Sequence, residues 1–298
     1  MRSFFKGLWR VRAVFFILLA AFFGDLLLAA WAPVERSSLF SKNDYEKIIM
    51  ENGGSVSFDK IIYGNSVLIS SYIEEESTSG YANLGIDYGT LTDLDAMLRK
   101  GYLSVQEDIV LMLNYFVLLD TMETNPTYPW HRGLLEPYCY FQRDRISAFA
   151  QRALETFIST RSLDGLIRYT DTSRTVYHGV MTDEELDERI AVHRQLYWGQ
   201  DLSCYQENLD ALERIAVFCE EQGIRLRVIF APWNSYIDMP ENPKAAMEAA
   251  REICTQRAVE VLDMTDAMPR KYFHDLGHLN YEYGARYFTG VIDEWLRS

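Results

Sequence analysis

The chain has few basic residues for its size, and this shortage limits the partners that it can have. Four of its 29 Lys and Arg residues lie in the first 32 residues, together with one of its 43 Asp and Glu residues. The rest of the chain, with 25 basic and 42 acidic residues, carries a net charge of −17. Because nucleic-acid binding depends on Lys and Arg contacts to phosphate, we predict no nucleic-acid partner.

Cysteine is also scarce, and the sequence contains no internal repeat and no low-complexity segment. The four cysteines are Cys139, Cys204, Cys219 and Cys254. Their spacing matches no zinc-binding pattern, and several disulfide connectivities are open to them. We therefore predict no metal and no cofactor, and we assign no disulfide pairing.

A long apolar run near the N-terminus predicts a membrane anchor. Residues 13–31 contain a single charged residue, Asp25, and about 20 apolar residues span a hydrocarbon core of about 30 Å. Because four basic residues precede the run, the positive-inside rule predicts that residues 1–12 are cytoplasmic and that the body is extracytoplasmic. Asp25 is costly in lipid, so we expect it either to face a protein partner or to reach water at the outer interface.

A cleaved signal peptide is the alternative to an uncleaved anchor. Ala30-Trp31-Ala32 resembles a cleavage site, but the apolar run is longer than the usual signal-peptide core of about 7–15 residues. We expect residues 13–31 to stay in the membrane and to contact lipid, with a connector at residues 32–54. Cleavage would instead give a freely secreted protein, whose body would still be extracytoplasmic.

Strand and helix patterns alternate through most of the remaining sequence. The apolar stretches "FDKIIYG", "EDIVLMLNYF", "IRLRVIFAP" and "VEVLDMT" are typical of strands, and amphipathic segments separate them. This alternation predicts an α/β domain over residues 55–298 with a mostly parallel sheet, flanked by helices in three layers. Residues 117–200, with aromatic and charged helical segments, interrupt the pattern and form a predicted helical insertion.

A small polar triplet, Gly64-Asn65-Ser66, follows the first predicted strand in "IIYGNSVLIS". A serine at such a turn can expose its hydroxyl while nearby backbone N–H groups stay free for an oxyanion. The alternative is a helix N-cap, in which the serine oxygen accepts from the backbone. Ser66 is therefore a candidate nucleophile that needs a base elsewhere in the chain.

The candidate base lies in the late segment "HDLGHLNYEYGA". Asp275 and His278 are three residues apart, a spacing at which a carboxylate can orient an imidazole and stabilise its charged form. A chance pair on a surface loop is the simpler alternative. A metal site that adds His274 would have suitable ligand types but no obvious fourth ligand nearby.

Together these segments resemble the four blocks of the SGNH (GDSL-like) hydrolase superfamily. "YGNSV" supplies Ser66, "NLGIDYG" supplies Gly85, "LMLNYF" supplies Asn114, and "DLGHLN" supplies Asp275 and His278. The resemblance covers residues 58–116 and 205–298, and it implies an SGNH or flavodoxin-like three-layer fold.

The resemblance also implies a role for each of these residues. Ser66 would attack an ester or thioester carbonyl, His278 would move the proton, and Asp275 would orient His278. The N–H groups of Ser66 and Gly85 and the side chain of Asn114 would form the oxyanion hole. The sequence departs from the family at Asn65, where an Asp is usual, and the third block lacks the usual Gly before Asn114. A cap at a strand end is the alternative for Asn114.

The combination of an anchor with such a body resembles the D-alanyl-lipoteichoic acid transfer proteins and related envelope proteins that work with membrane-bound O-acyltransferases. This resemblance implies a membrane O-acyltransferase as partner and a cell-envelope polysaccharide or teichoic-acid-like substrate. Trp233 and Asn234 follow a strand at the same sheet edge and are candidate substrate-binding residues. The alternative function is that of a non-catalytic scaffold which keeps the fold and binds the polymer or the membrane enzyme.

Overall fold

The computed structural model of the protein describes residues 2–31, 33, 56–122, 124, 128–131, 140, 150, 154–155, 157–162 and 176–297. The chain divides into two compact units. We call Met1–Glu51 with Asn125–Thr172 the anchor unit, and Asn52–Thr124 with Ser173–Ser298 the sheet unit. Both ends of the predicted insertion, residues 117–124 and 173–200, thus belong to the sheet unit. Nearly all of the predicted connector, residues 32–54, and Cys139 lie outside the described residues.

The anchor unit begins with a long helix, α1 (Arg2–Trp31). Its segment Arg12–Trp31 has 20 residues with a mean hydropathy of 2.4, which is long and apolar enough to cross a membrane. A signal sequence can have the same length and composition. The unit also contains a 3₁₀ turn at Pro129–His131 and helical residues at 157–160.

The sheet unit contains a sheet of five strands in the order β2-β1-β3-β4-β5. All neighbouring strands are parallel, which confirms the predicted mostly parallel sheet. The strands are β1 (Val56–Gly64), β2 (Ala82–Gly85), β3 (Leu103–Leu113), β4 (Arg225–Phe230) and β5 (Glu260–Asp263). The apolar run of β3 is buried on both faces, since Ile109 to Leu113 are at most 1% exposed.

Helices flank this sheet, which confirms the predicted fold class. They are α2 (Ser66–Ser71), α3 (Leu91–Arg99), α4 (Tyr115–Leu118), α5 (Asp183–Leu196), α6 (Gln206–Gln222), α7 (Glu241–Gln256) and α8 (Arg286–Leu296). A π-helical turn, Tyr281–Ala285, leads into α8. Capping boxes start α3 at Thr90 and α5 at Thr182, and Gly223 ends α6 with a φ of 70°, a left-handed conformation that glycine favours.

The strand register brings the ends of neighbouring strands to one edge. Gly64 pairs with Gly85, and Leu113 pairs with Phe230. Because the strands are parallel, the residues that follow them meet at the carboxyl edge of the sheet, where ligands bind in such folds. This edge carries the segments that the sequence analysis selects.

Candidate active site

A serine, a histidine and an aspartate form one hydrogen-bonded array at the carboxyl edge of the sheet. The hydroxyl oxygen of Ser66 lies 3.0 Å from Nε2 of His278. Nδ1 of the same imidazole lies 2.8 Å from Oδ2 of Asp275. The structure therefore brings together the three residues that the sequence analysis predicted as nucleophile, base and orienting acid, in the geometry that proton transfer from the hydroxyl requires.

The position of Ser66 follows from the cap of the short helix that it begins. The side-chain oxygen of Asn65 accepts a hydrogen bond from the N–H of Val67 at 3.0 Å, so Asn65 is the N-cap of α2. The alternative in which Ser66 caps the helix is therefore wrong. Its hydroxyl is left to point at His278.

The Asp275 carboxylate also builds the turn that carries His278. Its Oδ1 accepts from the N–H groups of Gly277 at 2.9 Å and His278 at 2.8 Å. The N–H of His274 donates to the carbonyl of His278 at 2.8 Å and closes the loop. Both oxygens of Asp275 are thus occupied, and the imidazole is fixed relative to the backbone.

This environment keeps Asp275 ionised. Burial by itself would raise its pKa, because Asp275 is only 4% exposed. The hydrogen bond from His278, the charge of that imidazole and the two backbone N–H groups outweigh burial and hold the pKa well below its ordinary value. A persistent negative charge beside Nδ1 stabilises the imidazolium that forms when His278 accepts a proton.

Asn114 is held in a reciprocal pair with Asn65. The amide nitrogen of each side chain donates to the amide oxygen of the other, at 3.1 Å and 3.0 Å. The oxygen of Asn114 also accepts from the N–H groups of Phe116 and Val117, so Asn114 caps α4, as the alternative from sequence proposed. Each amide nitrogen has two hydrogens, and one hydrogen of Asn114 has no acceptor among the described residues.

The backbone N–H of Ser66 is the other available donor beside the hydroxyl. It lies at the first position of α2, where an N–H has no partner within the helix. No hydrogen bond from it to another described residue is present. Ser66 N–H and Asn114 Nδ2 are thus two donors that could meet an oxyanion.

The N–H of Gly85, which was predicted to be an oxyanion donor, already has a hydrogen-bond partner within the fold. Its N–H donates to the side-chain oxygen of Asn83 at 3.0 Å, so an oxyanion would have to displace Asn83 to use it. The glycine is instead explained by packing. A Cβ at this position would lie 2.4 Å from Cγ1 of Ile69 on α2, too close for any side chain larger than hydrogen.

Asn234 and Trp233 also have partners within the fold. Asn234 is 1% exposed. Its amide nitrogen donates to the carbonyl of Asp275 at 2.8 Å, and its amide oxygen accepts from Tyr236 N–H at 3.1 Å. This side chain holds the Asp275 turn and is not free to contact a ligand. Trp233 is half-buried, with its indole N–H donating to the carbonyl of Ile237 at 2.6 Å.

Two residues from the predicted insertion, Tyr177 and Arg189, border the array. The ring of Tyr177 packs on the imidazole of His278 with centroids 4.3 Å apart. Arg189 on α5 lies 4.0 Å from Oδ2 of Asp275. Burial, together with the negative charges of Asp275 and Asp87, raises the pKa of Tyr177 to about 12, so its phenol stays neutral.

A second histidine, His193, lies near the array and makes a hydrogen bond with the hydroxyl of Tyr115. The indole N–H of Trp198 donates to the hydroxyl of Tyr115 at 3.0 Å, and this hydroxyl lies 3.2 Å from Nδ1 of His193. Burial and the charge of Arg189 lower the pKa of His193 to about 4.

Nothing in the sequence pattern marked Tyr177, Arg189 or His193, because they lie in the segment that the motif resemblance leaves unmatched. The i, i+4 spacing of Arg189 and His193 on α5 shows only that they share a helix face. No cluster of three or more metal-ligating side chains suited to a metal ion occurs within the described part of the chain.

No protein-family model matches this chain, and no curated protein matches it either. The fold and the site define an α/β protein with a serine, a histidine and an aspartate joined by hydrogen bonds at the edge where parallel-sheet proteins bind ligands. Such an array can activate a hydroxyl for attack on a carbonyl carbon.

Proposed function

We propose that this protein is a membrane-anchored, extracytoplasmic serine esterase or O-acyltransferase that acts on a cell-envelope glycopolymer through an acyl-serine intermediate. The observation that carries the proposal is the Ser66–His278–Asp275 array, with distances of 3.0 Å and 2.8 Å. We assign the chain to the SGNH-type hydrolases as part of the same proposal, on the order of its four motif segments.

In the first half-reaction, Ser66 Oγ attacks the carbonyl carbon of the acyl donor, and its proton passes to Nε2 of His278. The charged imidazole is stabilised by Asp275, and the oxyanion of the tetrahedral intermediate accepts from Ser66 N–H and Asn114 Nδ2. His278 then returns the proton to the leaving oxygen or sulfur, and the bond to the leaving group breaks. An acyl ester on Ser66 remains.

In the second half-reaction, a hydroxyl of the acceptor attacks the acyl-serine. His278 takes the proton of that hydroxyl, and the proton returns to Ser66 Oγ as the ester breaks. Water as acceptor gives hydrolysis, whereas a sugar hydroxyl of the glycopolymer gives acyl transfer. The partner that we propose, a membrane-bound O-acyltransferase, would supply the activated acyl group at the membrane surface.

The membrane anchor is supported by a contact within the anchor unit. The carboxylate of Asp25 on α1 accepts a hydrogen bond from the backbone N–H of Tyr140 at 3.0 Å. Removal of residues 1–32 as a signal peptide would break this hydrogen bond. The contact therefore favours a retained, single-pass helix over a secreted, processed protein, with the N-terminus in the cytoplasm by the positive-inside rule.

The test is ester turnover by the full-length protein in its own membranes, with p-nitrophenyl acetate as the acyl donor. Ser66→Ala should lower kcat by at least about 10⁴-fold, as loss of a triad nucleophile does. Ser70→Ala is the matched control, because Ser70 lies on the same helix and its hydroxyl donates to the carbonyl of Val67. Equal turnover by the wild type and Ser66→Ala would overturn the proposal.

A scaffold without catalytic activity is the second candidate, and the incomplete set of oxyanion donors favours it. The N–H of Gly85 is occupied by Asn83, and Asn65 stands where an acidic residue is usual in the SGNH resemblance. A scaffold predicts that cells carrying Ser66→Ala keep the normal acyl-ester content of their envelope. An enzyme predicts that this content falls.

A further inference from the structure

The two ends of the apolar helix α1 have different surroundings within the anchor unit. Residues 13–23 are exposed around the whole helix. In contrast, Gly24, Asp25, Leu28 and Ala29 are half-buried. Protein therefore covers part of the last two turns of α1, next to Trp31, and leaves the preceding turns free to contact lipid.

The hydrogen bond of Asp25 shows how far along α1 the contact with other protein residues of the anchor unit extends. Tyr140 N–H donates to the Asp25 carboxylate, and Asp25 lies six residues before Trp31, about 9 Å along the helix axis. If Arg12–Trp31 fills a hydrocarbon core of about 30 Å, Asp25 lies inside that core, and the protein that covers the last two turns of α1 enters the core from the Trp31 end. The rings of Tyr128 and Trp130 belong to the same unit, where they are buried and stack on each other.

An exposed apolar face occurs in the same unit. Leu154, Phe157 and Ile158 are 58%, 47% and 66% exposed, and their i, i+3, i+4 spacing places them on one side of a helical turn. A short helix with this much exposed apolar surface is marginal in water. Arg161 follows at the end of the turn and is also exposed.

The net charge of Asn125–Thr172, the part of the chain that contains this apolar face, differs from that of the rest of the extracytoplasmic chain. Asn125–Thr172 has six Arg residues and five acidic residues, whereas the chain beyond residue 32 carries a net charge of −17. Anionic headgroups therefore repel the body but not this segment. Its charge suits a position at the lipid surface.

We propose that residues 154–155 and 157–161 lie in the interfacial zone of the bilayer at the Trp31 end of α1. Leu154, Phe157 and Ile158 contact lipid acyl chains, and Arg161 lies among the headgroup phosphates, as in helices that rest in the membrane plane. The segment is thus a second membrane contact of the protein beside α1. This inference does not depend on the chemistry of Ser66.

The test is photolabelling of the full-length protein reconstituted in vesicles of phosphatidylcholine that carries a diazirine in its acyl chain. Lipid adducts are located on peptides by mass spectrometry. We expect adducts on α1 and, at a comparable level, on the peptide that contains residues 154–158. The internal control is α5, where Val192 and Leu196 are 48% and 49% exposed but belong to the sheet unit.

Adducts on α1 without adducts on residues 154–158 would overturn the proposal, as would equal labelling of α5. A protein without adducts on either segment would overturn both this inference and the membrane anchor. The double variant F157S/I158S should lose the adducts on its own peptide and keep those on α1. In native membranes, crosslinks from this face mainly to another protein would show that protein rather than lipid covers it, which would also overturn the proposal.

Discussion

The two sides of the candidate active site differ in how completely they are formed. On the acid–base side, Ser66, His278 and Asp275 are joined by hydrogen bonds of 3.0 Å and 2.8 Å. On the donor side, the N–H of Gly85 is taken by Asn83 and Asn114 is paired with Asn65. The proposed nucleophile thus has its proposed base and orienting acid in place, whereas the oxyanion of the proposed reaction would have two donors rather than three.

This difference shows that the two sides depend on different kinds of interaction. The acid–base side is made by side chains whose chemistry is visible in the sequence, and the Asp275 carboxylate builds the turn that positions His278. The donor side depends on which backbone N–H groups are left free after the caps and strands have formed. Catalytic loss should therefore be larger on the acid–base side.

Among variants that keep the proposed nucleophile Ser66, the largest effect should come from Asp275→Asn. The amide keeps the size of the carboxylate but loses its charge and changes the tautomer of His278, so kcat should fall by about 10⁴-fold. The measurement is turnover of p-nitrophenyl acetate, with circular dichroism to show that the fold is kept. A loss of less than about tenfold, equal to about 1.4 kcal/mol, would mean that the acid–base side does not carry the reaction.

Asn114→Ala tests the donor side and should lower kcat by about 10²–10³-fold, because an oxyanion donor is removed. KM should change little, since the donor acts mainly in the transition state. Asn242→Ala is the control, because Asn242 only donates to the carbonyl of Gln200 away from the array. Unchanged kcat in Asn114→Ala would leave Ser66 N–H as the single donor and would remove Asn114 from the site.

Gly85→Ala separates packing from catalysis on the same side. The added methyl would lie 2.4 Å from Cγ1 of Ile69, so we expect a loss of about 1–3 kcal/mol in the free energy of unfolding. Gly199→Ala is the control, since nothing lies within 4 Å of a Cβ there. Equal thermal unfolding midpoints for the two variants would show that α2 does not approach Gly85 so closely.

The smallest effect is the contribution of His193 to the pH dependence of the free energy of unfolding. Its folded-state pKa of about 4 lies below the ordinary 6.5, so the unfolded chain binds the proton first as pH falls. Stability should therefore decrease from about pH 6.5 to about pH 4, by at most about 1.4 kcal/mol per pH unit and less because the ring is partly solvated.

The pH dependence of the unfolding midpoint in the wild type and His193→Gln measures this contribution. The variant should show a shallower decrease over the same range, since Gln does not titrate. Parallel curves would show that His193 is not held neutral by its contacts with Tyr115 and the surrounding protein.

Much of this arrangement could be predicted from the sequence because it depends on local patterns. The buried run of β3, the cap at Gly223 and the order of Ser66, Asp275 and His278 follow from apolar spacing, glycine conformation and residue chemistry. The sheet edge then brings Ser66 and His278 together from positions more than 200 residues apart.

The remaining features depend on contacts that no local pattern records. Asn234 was predicted to meet a ligand, yet its amide is used to hold the Asp275 turn. The Gly85 N–H donates to the side-chain oxygen of Asn83, and the amide nitrogen of Asn83 donates to the carbonyl of Tyr72 at the end of α2. His193 reaches the site because α5, within the predicted insertion, belongs to the sheet unit.

Covalent labelling with a fluorophosphonate probe tests the central claim most directly. Full-length wild type, Ser66→Ala, His278→Ala and the control Ser70→Ala would be labelled side by side in native membranes, and the modified peptide identified by mass. An activated Ser66 predicts a probe adduct on Ser66 in the wild type and Ser70→Ala, and none in the other two variants. An unlabelled wild type, or an adduct that survives in Ser66→Ala, would contradict the account.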